Sequence, residues 1–189
     1  MIFIVPGIAT TILLFTELRS KIKSLGFWLM VLIAALGTVP VLKWNMEHDW
    51  ASIRFQLRHG FEISSRPSYL NFLDFIGGQI ITVGPGLFLA CYFIGIKKLI
   101  QSWRSRDIKR FFLSMSGLPM LVFFTYNAIK SKVEANWPQV AYISLILLVA
   151  EWIFEDKNKI KSRIFWIFFP SAFITILAAV HALTLVLPF

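Results

Sequence analysis

Long apolar segments separated by short polar connectors constrain this chain more than any other feature of its sequence. Of its 189 residues, 57% are hydrophobic and 15% are charged, whereas about a quarter of a soluble domain is charged. A helix needs roughly 20 apolar residues to cross a bilayer. The sequence therefore predicts an all-α, polytopic integral membrane protein, a single transmembrane domain over residues 1–189 with five to six transmembrane helices. The predicted spans lie at about 1–16 (partial), 25–43, 72–96, 111–129, 138–154 and 164–187.

The basic residues between these segments predict how the chain lies in the membrane. The connectors 17–24, 97–110 and 155–163 together carry 13 Lys and Arg residues, and the alternate connectors carry 6. Because cytoplasmic loops carry the excess of Lys and Arg, we expect the 13 to face the cytoplasm. The loops 44–71 and 130–137 then share the external side. Since the charges flank apolar segments, the net charge of +9 does not indicate a nucleic-acid partner.

The first external loop has an unusual composition. Residues 44–61 read WNMEHDWASIRFQLRHGF and, as one helix, place Trp50, Ile53, Leu57 and Phe61 on an apolar stripe. Such a helix lies flat at a membrane surface. Arg54 and Arg58, one turn apart, suit a lipid phosphate because a guanidinium grips phosphate oxygens in a fork. Lys132 of the second loop would approach the same anion. A connecting helix with solvated charges is the open alternative.

The same loop contains side chains that can bind metal, namely Glu47, His48, Asp49 and His59. In one helix, the two histidines would lie three turns apart, too far to grip one ion unaided. We therefore predict no metal and no cofactor, with a divalent cation as the alternative. The sequence also lacks the G-x-x-x-x-G-K-[ST] nucleotide loop and the G-x-S-x-G nucleophile motif.

Two motifs in the external loops resemble a known family. PVLKWNMEHDWASIRFQLRH, residues 40–59, resembles the P-x-x-x-W-N-x-x-H-D-W-x-S-x-x-F-Q-x-x-H stretch of certain bacterial membrane glycosyltransferases. These enzymes are similar to protein O-mannosyltransferases and to the aminoarabinose transferase that modifies lipid A. KVEANWPQVAY, residues 132–142, resembles their K-x-x-x-N-W-P-x-x-A-Y stretch, and G-G-Q-x-x-x-x-G-P at 77–85 fits as well.

The resemblance implies part of a large all-helical membrane glycosyltransferase fold (GT-C-like) in the bacterial inner membrane. It also implies transfer of a sugar from a polyprenyl-phosphate donor to a lipid, glycan or protein on the external face, with inversion at the sugar carbon. The matching residues predict a substrate-binding set of Asn45, His48, Asp49, Gln56, His59, Asn136 and Trp137. We infer that Arg54, Arg58 and Lys132 would bind the donor phosphate.

The chain departs from the family at the catalytic base. The family uses an acidic residue in the first external loop of a longer protein to deprotonate the acceptor hydroxyl. Here residues 1–16 lead directly to the predicted cytoplasmic side, so that loop is not expected in this chain. The catalytic residue stays unknown, and Asp49 is a candidate for a substitute base with a structural role as the alternative. We therefore expect a fragment that works with an N-terminal half or a partner membrane subunit. The alternative is a non-catalytic membrane module that binds polyprenyl-phosphate lipid or a partner subunit.

Overall fold

A computed structural model describes residues 4–61 and 67–186, and within these ranges the chain forms helices and turns with no β-strand. Short 3-10 helices occupy Ser20–Lys23 and Lys157–Lys159. The α-helices are α1 (Ile4–Leu14), α2 (Thr16–Arg19), α3 (Leu25–Glu47), α4 (Ala51–Phe61), α5 (Ser68–Val83), α6 (Pro85–Ser105), α7 (Ile108–Lys130), α8 (Gln139–Phe154) and α9 (Ile160–Val186).

The helices coincide with all six apolar segments that the sequence predicts as spans. Among the described residues, α3, α7 and the segment Lys157–Leu177 are long and apolar enough to cross a membrane. The helices α5 and α6 meet the same criterion only as a bent pair, and α1 and α8 are shorter apolar helices of 11 and 16 residues. The prediction of an all-α membrane protein is confirmed. The number of crossings stays a prediction.

The predicted span at 72–96 is not one helix, because α5 and α6 meet at an angle of 100°. Gly84, between them, has φ +88°, a conformation that non-glycine residues rarely adopt. Pro85 has no N–H to continue α5, and its fixed φ suits the first turn of α6. A Cβ on Gly84 would also lie 2.2 Å from the Ser171 hydroxyl oxygen on α9. Hydropathy is continuous across the bend, so it predicted a single span.

Helix α7 lies at the centre of the packed helices and contacts α1, α5, α6 and α8, while α9 packs against α6. Apolar side chains such as Leu121, Leu145 and Leu148 are fully buried there. Helix α3 differs. All of its residues lie in the described range 4–61, and its apolar part contains no buried side chain. Its one buried residue is Asn45, near its end.

The basic segment 97–110, which the sequence predicts as a loop, is largely helical, since α6 continues to Ser105 and α7 begins at Ile108. Lys98 is 1% exposed, and its Nζ lies 3.2 Å from Oε1 of Glu155, just beyond α8. Arg110 Nε donates to Glu151 Oε1 of α8 at 2.7 Å. Two of the basic side chains therefore join neighbouring helices, which a count of charges does not show.

Candidate functional site

The first of the two motifs, which is predicted to be external, contains a break in the middle of the stretch that was predicted to be a single helix. Helix α3 ends at Glu47 and α4 begins at Ala51. Between them, Asp49 and Trp50 have left-handed φ values of +50° and +58°. This conformation is uncommon for aspartate and an outlier for a bulky residue such as tryptophan. Because each strained residue costs about 1–3 kcal/mol, other contacts must hold the break.

Asn45 supplies such contacts with a side chain that is fully buried. Its Nδ2 donates to the carbonyl oxygen of Val41 at 2.9 Å. Its Oδ1 accepts from the Ser52 hydroxyl at 2.8 Å and from the Ile53 N–H at 3.3 Å, and both donors lie beyond the break. The Trp50 N–H donates to the Asn45 carbonyl at 2.7 Å. The geometry therefore supports a positioning role for Asn45, and its predicted contact with substrate stays a prediction.

His48 lies at the C-terminal end of α3, and its hydrogen bond within the described ranges uses one ring nitrogen. Its ring stacks on that of Trp44, with ring centroids 4.2 Å apart and planes 11° apart. Its Nδ1 lies 2.8 Å from the Trp44 carbonyl oxygen. Because a carbonyl oxygen only accepts, Nδ1 carries the proton and Nε2 of the neutral ring is an acceptor. The residue is exposed, so Nε2 can accept a hydrogen bond from a ligand hydroxyl.

The predicted cationic pair lies on α4. Arg54 and Arg58 are both exposed and one turn apart, and within residues 4–61 and 67–186 neither guanidinium forms an ion pair. Asp49 and Gln56 are exposed as well, and the side chain of His59 lies outside the described part of the structure. In the same described ranges, no three His, Cys, Asp or Glu side chains come together as metal ligands would. Helix α4 therefore presents two exposed guanidinium groups, and their binding of a donor phosphate stays a prediction.

The second of the loops predicted to be external, 130–137, is held to α5 by the G-G-Q motif. Gln79 is fully buried, its Nε2 donates to the Ala135 carbonyl at 3.0 Å, and the Tyr142 hydroxyl donates to its Oε1 at 2.8 Å. Gly78 lets the loop approach, since a Cβ on it would lie 2.8 Å from the Ala135 Cβ. Gln79 therefore faces the protein interior. This motif fixes the loop that carries Lys132, Asn136 and Trp137.

Of the residues predicted as site residues in this loop, one is an amide and one is a cation. Asn136 and Lys132 are exposed, while Trp137 is partly buried with its ring centroid 6.0 Å from that of Phe124. Lys132 Nζ lies 3.0 Å from Glu134 Oε1. Its charge is therefore already balanced, and a donor phosphate would have to compete with Glu134. This lysine is a less available cation than the two arginines of α4.

The described contacts do not show how the two motifs lie relative to each other. The main contacts of α3 and α4 are with each other and with the turn Ser20–Lys23. The second loop is instead held by α5 and by α8, the helix that carries Tyr142. The proximity of the two loops, expected from the predicted topology, stays a prediction.

Two buried polar residues are not among the site residues that the sequence predicts. One is Tyr142, which completes the network around Gln79. The other is Asn71, which is 1% exposed and whose side-chain amide has no hydrogen-bond partner among the described residues. Asn71, Phe75 and Gln79 are spaced four residues apart and form the buried face of α5. That spacing is the signal that could have placed Asn71 inside the protein.

Comparison with known proteins adds one relative. The chain is 29% identical over 159 residues, 83% of its length, to the lipid A galacturonosyltransferase RgtD of Rhizobium johnstonii. This similarity supports a membrane glycosyltransferase family. The chain spans 32% of that relative's length. No family model and no solved structure matches the chain.

The relative also limits what the motif resemblance supports. It is named as a galacturonosyltransferase, so the comparison supports membrane glycosyltransferases in general. The closer resemblance to mannosyltransferases and to the aminoarabinose transferase stays a prediction. The membrane is the expected location of such a protein, and the apolar helices agree with a multi-pass arrangement.

Proposed function

We propose that the chain forms part of a membrane glycosyltransferase that moves a sugar from a polyprenyl-phosphate donor to an acceptor on the external face of the bacterial inner membrane. The observation that carries this proposal is the similarity to a lipid A galacturonosyltransferase over 83% of the chain. Of the acceptors that the resemblance allows, lipid, glycan or protein, the name of this relative favours a lipid. It likewise favours a hexuronic acid as the sugar.

The proposed roles follow from which groups are exposed. Arg54 and Arg58 would bind the donor phosphate and stabilise its charge as it becomes the leaving group. Nε2 of His48 would accept a hydrogen bond from a sugar hydroxyl. The side chains of Gln56 and Asn136, both exposed, would bind further polar groups of the substrate. Asn45 and Gln79 would position these groups from within the protein.

We propose that the catalytic base lies outside these 189 residues. Because the chain spans 32% of its relative, the acidic residue that the family carries in its first external loop would come from an N-terminal half or a separate subunit. Asp49 is the substitute within this chain. It is exposed, and the strained turn presents it beside His48, but a base must also reach the acceptor hydroxyl within about 3 Å.

The first test measures binding of undecaprenyl phosphate to the purified protein in detergent. We expect saturable binding that the double variant Arg54→Gln/Arg58→Gln weakens at least about tenfold, because it removes two charge-assisted contacts. The matched control, Lys157→Gln/Lys161→Gln, removes two exposed cations at the opposite end of the predicted topology and should bind like the wild type. Equal binding by the arginine variant, or an equal loss in the control, would show that α4 is not the phosphate site.

A second candidate function is a non-catalytic module that holds polyprenyl-phosphate lipid or a partner subunit. The exposed arginine pair favours this function, because the two arginines on α4 would bind an anionic lipid without any other part of an active site. Transfer of labelled sugar from a polyprenyl-phosphate donor to lipid, assayed in membranes that contain the chain, separates the two functions. Transfer that is lost on Arg54→Gln/Arg58→Gln supports the enzyme, and binding without transfer supports the module.

A further inference from the structure

A groove of ≈ 650 Å³ opens between α1, α6 and α7, at the end of the bundle that carries the basic segment 97–110. Its walls are apolar except for Thr10 and Arg104. The apolar lining includes Leu14 of α1, Ile100 and Trp103 of α6, and Met115 of α7. Trp103 is 49% exposed, and a tryptophan of this kind is typical of the membrane–water interface. An apolar groove with an arginine on its wall is suited to an amphipathic ligand.

Two more arginines lie at the same place, on the C-terminal end of α1. Arg106 Nη1 donates to the carbonyl oxygen of Leu14 at 3.3 Å, and Arg19 Nη2 donates to that of Leu13 at 2.6 Å. The last carbonyl groups of a helix lack intrahelical partners and carry partial negative charge, so guanidinium groups bind there. Each of these bonds uses one of the five N–H donors of a guanidinium, and the remaining donors are available to an anion.

The positive charge at this end is not balanced by neighbouring acids. Arg104 is exposed and forms no ion pair within the described ranges. The acids of the adjoining helix ends are already paired, as in Asp107 with Arg110, Glu151 with Arg110 and Glu155 with Lys98. Helices α1 and α2 contain a single acidic residue, Glu17, whereas three arginines, Arg19, Arg104 and Arg106, lie at this end. A net positive charge therefore lies beside an apolar groove.

We propose that this groove binds one anionic glycerophospholipid. An acyl chain would lie along the apolar walls, and the phosphate would lie among Arg104, Arg106 and Arg19. Basic pockets between membrane helices recognise anionic headgroups in this way, and a zwitterionic lipid is held less well because its ammonium group cancels the phosphate charge. The site is separate from the arginine pair of α4, since the 23-residue helix α3 lies between Arg19 and α4 in the chain.

The test is a titration of the purified protein with phosphatidylglycerol and with phosphatidylcholine, followed by native mass spectrometry. We expect the wild type to prefer phosphatidylglycerol and Arg104→Gln to weaken that binding roughly fivefold, the effect of one arginine near an anionic surface. Lys161→Gln, which removes an exposed cation outside the groove, is the matched control and should leave binding unchanged.

A second pair of variants tests the acyl-chain groove. Ile100→Trp fills the groove from a half-exposed position and should abolish the preference, whereas Ile96→Trp, one turn earlier on α6 and outside the lining, should preserve it. All four variants must first unfold at the same temperature as the wild type in the same detergent. The proposal is overturned if the wild type does not prefer the anionic lipid, if Lys161→Gln loses as much affinity as Arg104→Gln, or if Ile100→Trp has no effect.

Discussion

The hydrogen bonds of Gln79 make the clearest energetic prediction, because both of its partners are known. Its amide joins the Ala135 carbonyl of the loop 130–137 to the Tyr142 hydroxyl of α8, and Gln79 and Tyr142 are both buried. Gln79→Leu keeps the approximate size of the side chain and removes both bonds. Tyr142→Phe removes one of them. The two substitutions should therefore not be additive, since they share one hydrogen bond.

The expected size of the effect follows from the groups that lose their partners. Gln79→Leu leaves the Ala135 carbonyl and the Tyr142 hydroxyl unpaired, and at about 1–3 kcal/mol for each orphaned group the cost is about 2–6 kcal/mol. Tyr142→Phe leaves only Oε1 of Gln79 unpaired and should cost about 1–2 kcal/mol. The double variant should cost no more than Gln79→Leu alone. The magnitude of the coupling energy is then at least the cost of Tyr142→Phe, about 1–2 kcal/mol, which is similar to values for hydrogen bonds between membrane helices in model peptides.

The assay is unfolding in mixed micelles by added sodium dodecyl sulfate, followed by circular dichroism for all four members of the cycle. Thr82→Val is the matched control, because Thr82 is exposed and donates to Gly78 within its own helix, and its cost should stay within about 0.5 kcal/mol. Hydrogen exchange of residues 130–137 should accelerate in Gln79→Leu. If the two single effects add within about 0.3 kcal/mol, the residues do not interact and the proposed fixing of the loop is refuted.

Three further predictions concern packing, the helix break and a buried charge. Gly78→Ala should destabilise by about 1–2 kcal/mol because it crowds the second loop, whereas Gly77→Ala, which meets nothing within 4 Å, should be neutral or stabilising in the same unfolding assay. Asn45→Ala should cost about 2 kcal/mol and accelerate hydrogen exchange at 48–53, and unchanged exchange would contradict its positioning role. Glu155→Gln should cost about 1–2 kcal/mol, and Lys98→Met less, because only the first leaves a buried charge unpaired.

The positions of the helices could be predicted because hydropathy decides them. The sequence predicts a span at 25–43, and α3 occupies Leu25–Glu47, with Ser24 accepting a hydrogen bond from the Phe27 N–H at its start. The sequence around Gly84 predicts that an irregularity in the helix would be tolerated there, but it does not predict the bend itself. Its angle of 100° also depends on α9, which approaches the glycine and is far away in the sequence.

The candidate site was less predictable, because a motif gives residue types and not the groups with which they pair. The W-N-x-x-H-D-W motif contains neither glycine nor proline, so nothing in it predicts a break at Asp49 and Trp50. The break depends on the Asn45 amide, which bonds across it to Ser52. Similarly, the pairing of Lys132 with Glu134 follows from the fold of the loop.

The exposed surface of α3 has a consequence for how the protein enters a membrane. With a mean hydropathy of 2.2 and an apolar stretch that contacts no protein core, α3 has what it needs to insert as an independent segment. Helix α8 has only 16 residues, fewer than the roughly 20 of a full crossing, and much of it is buried against α6 and α7. We therefore expect biosynthesis in two steps, in which α3 partitions into lipid unaided and α8 is retained once α6 and α7 are present to receive it.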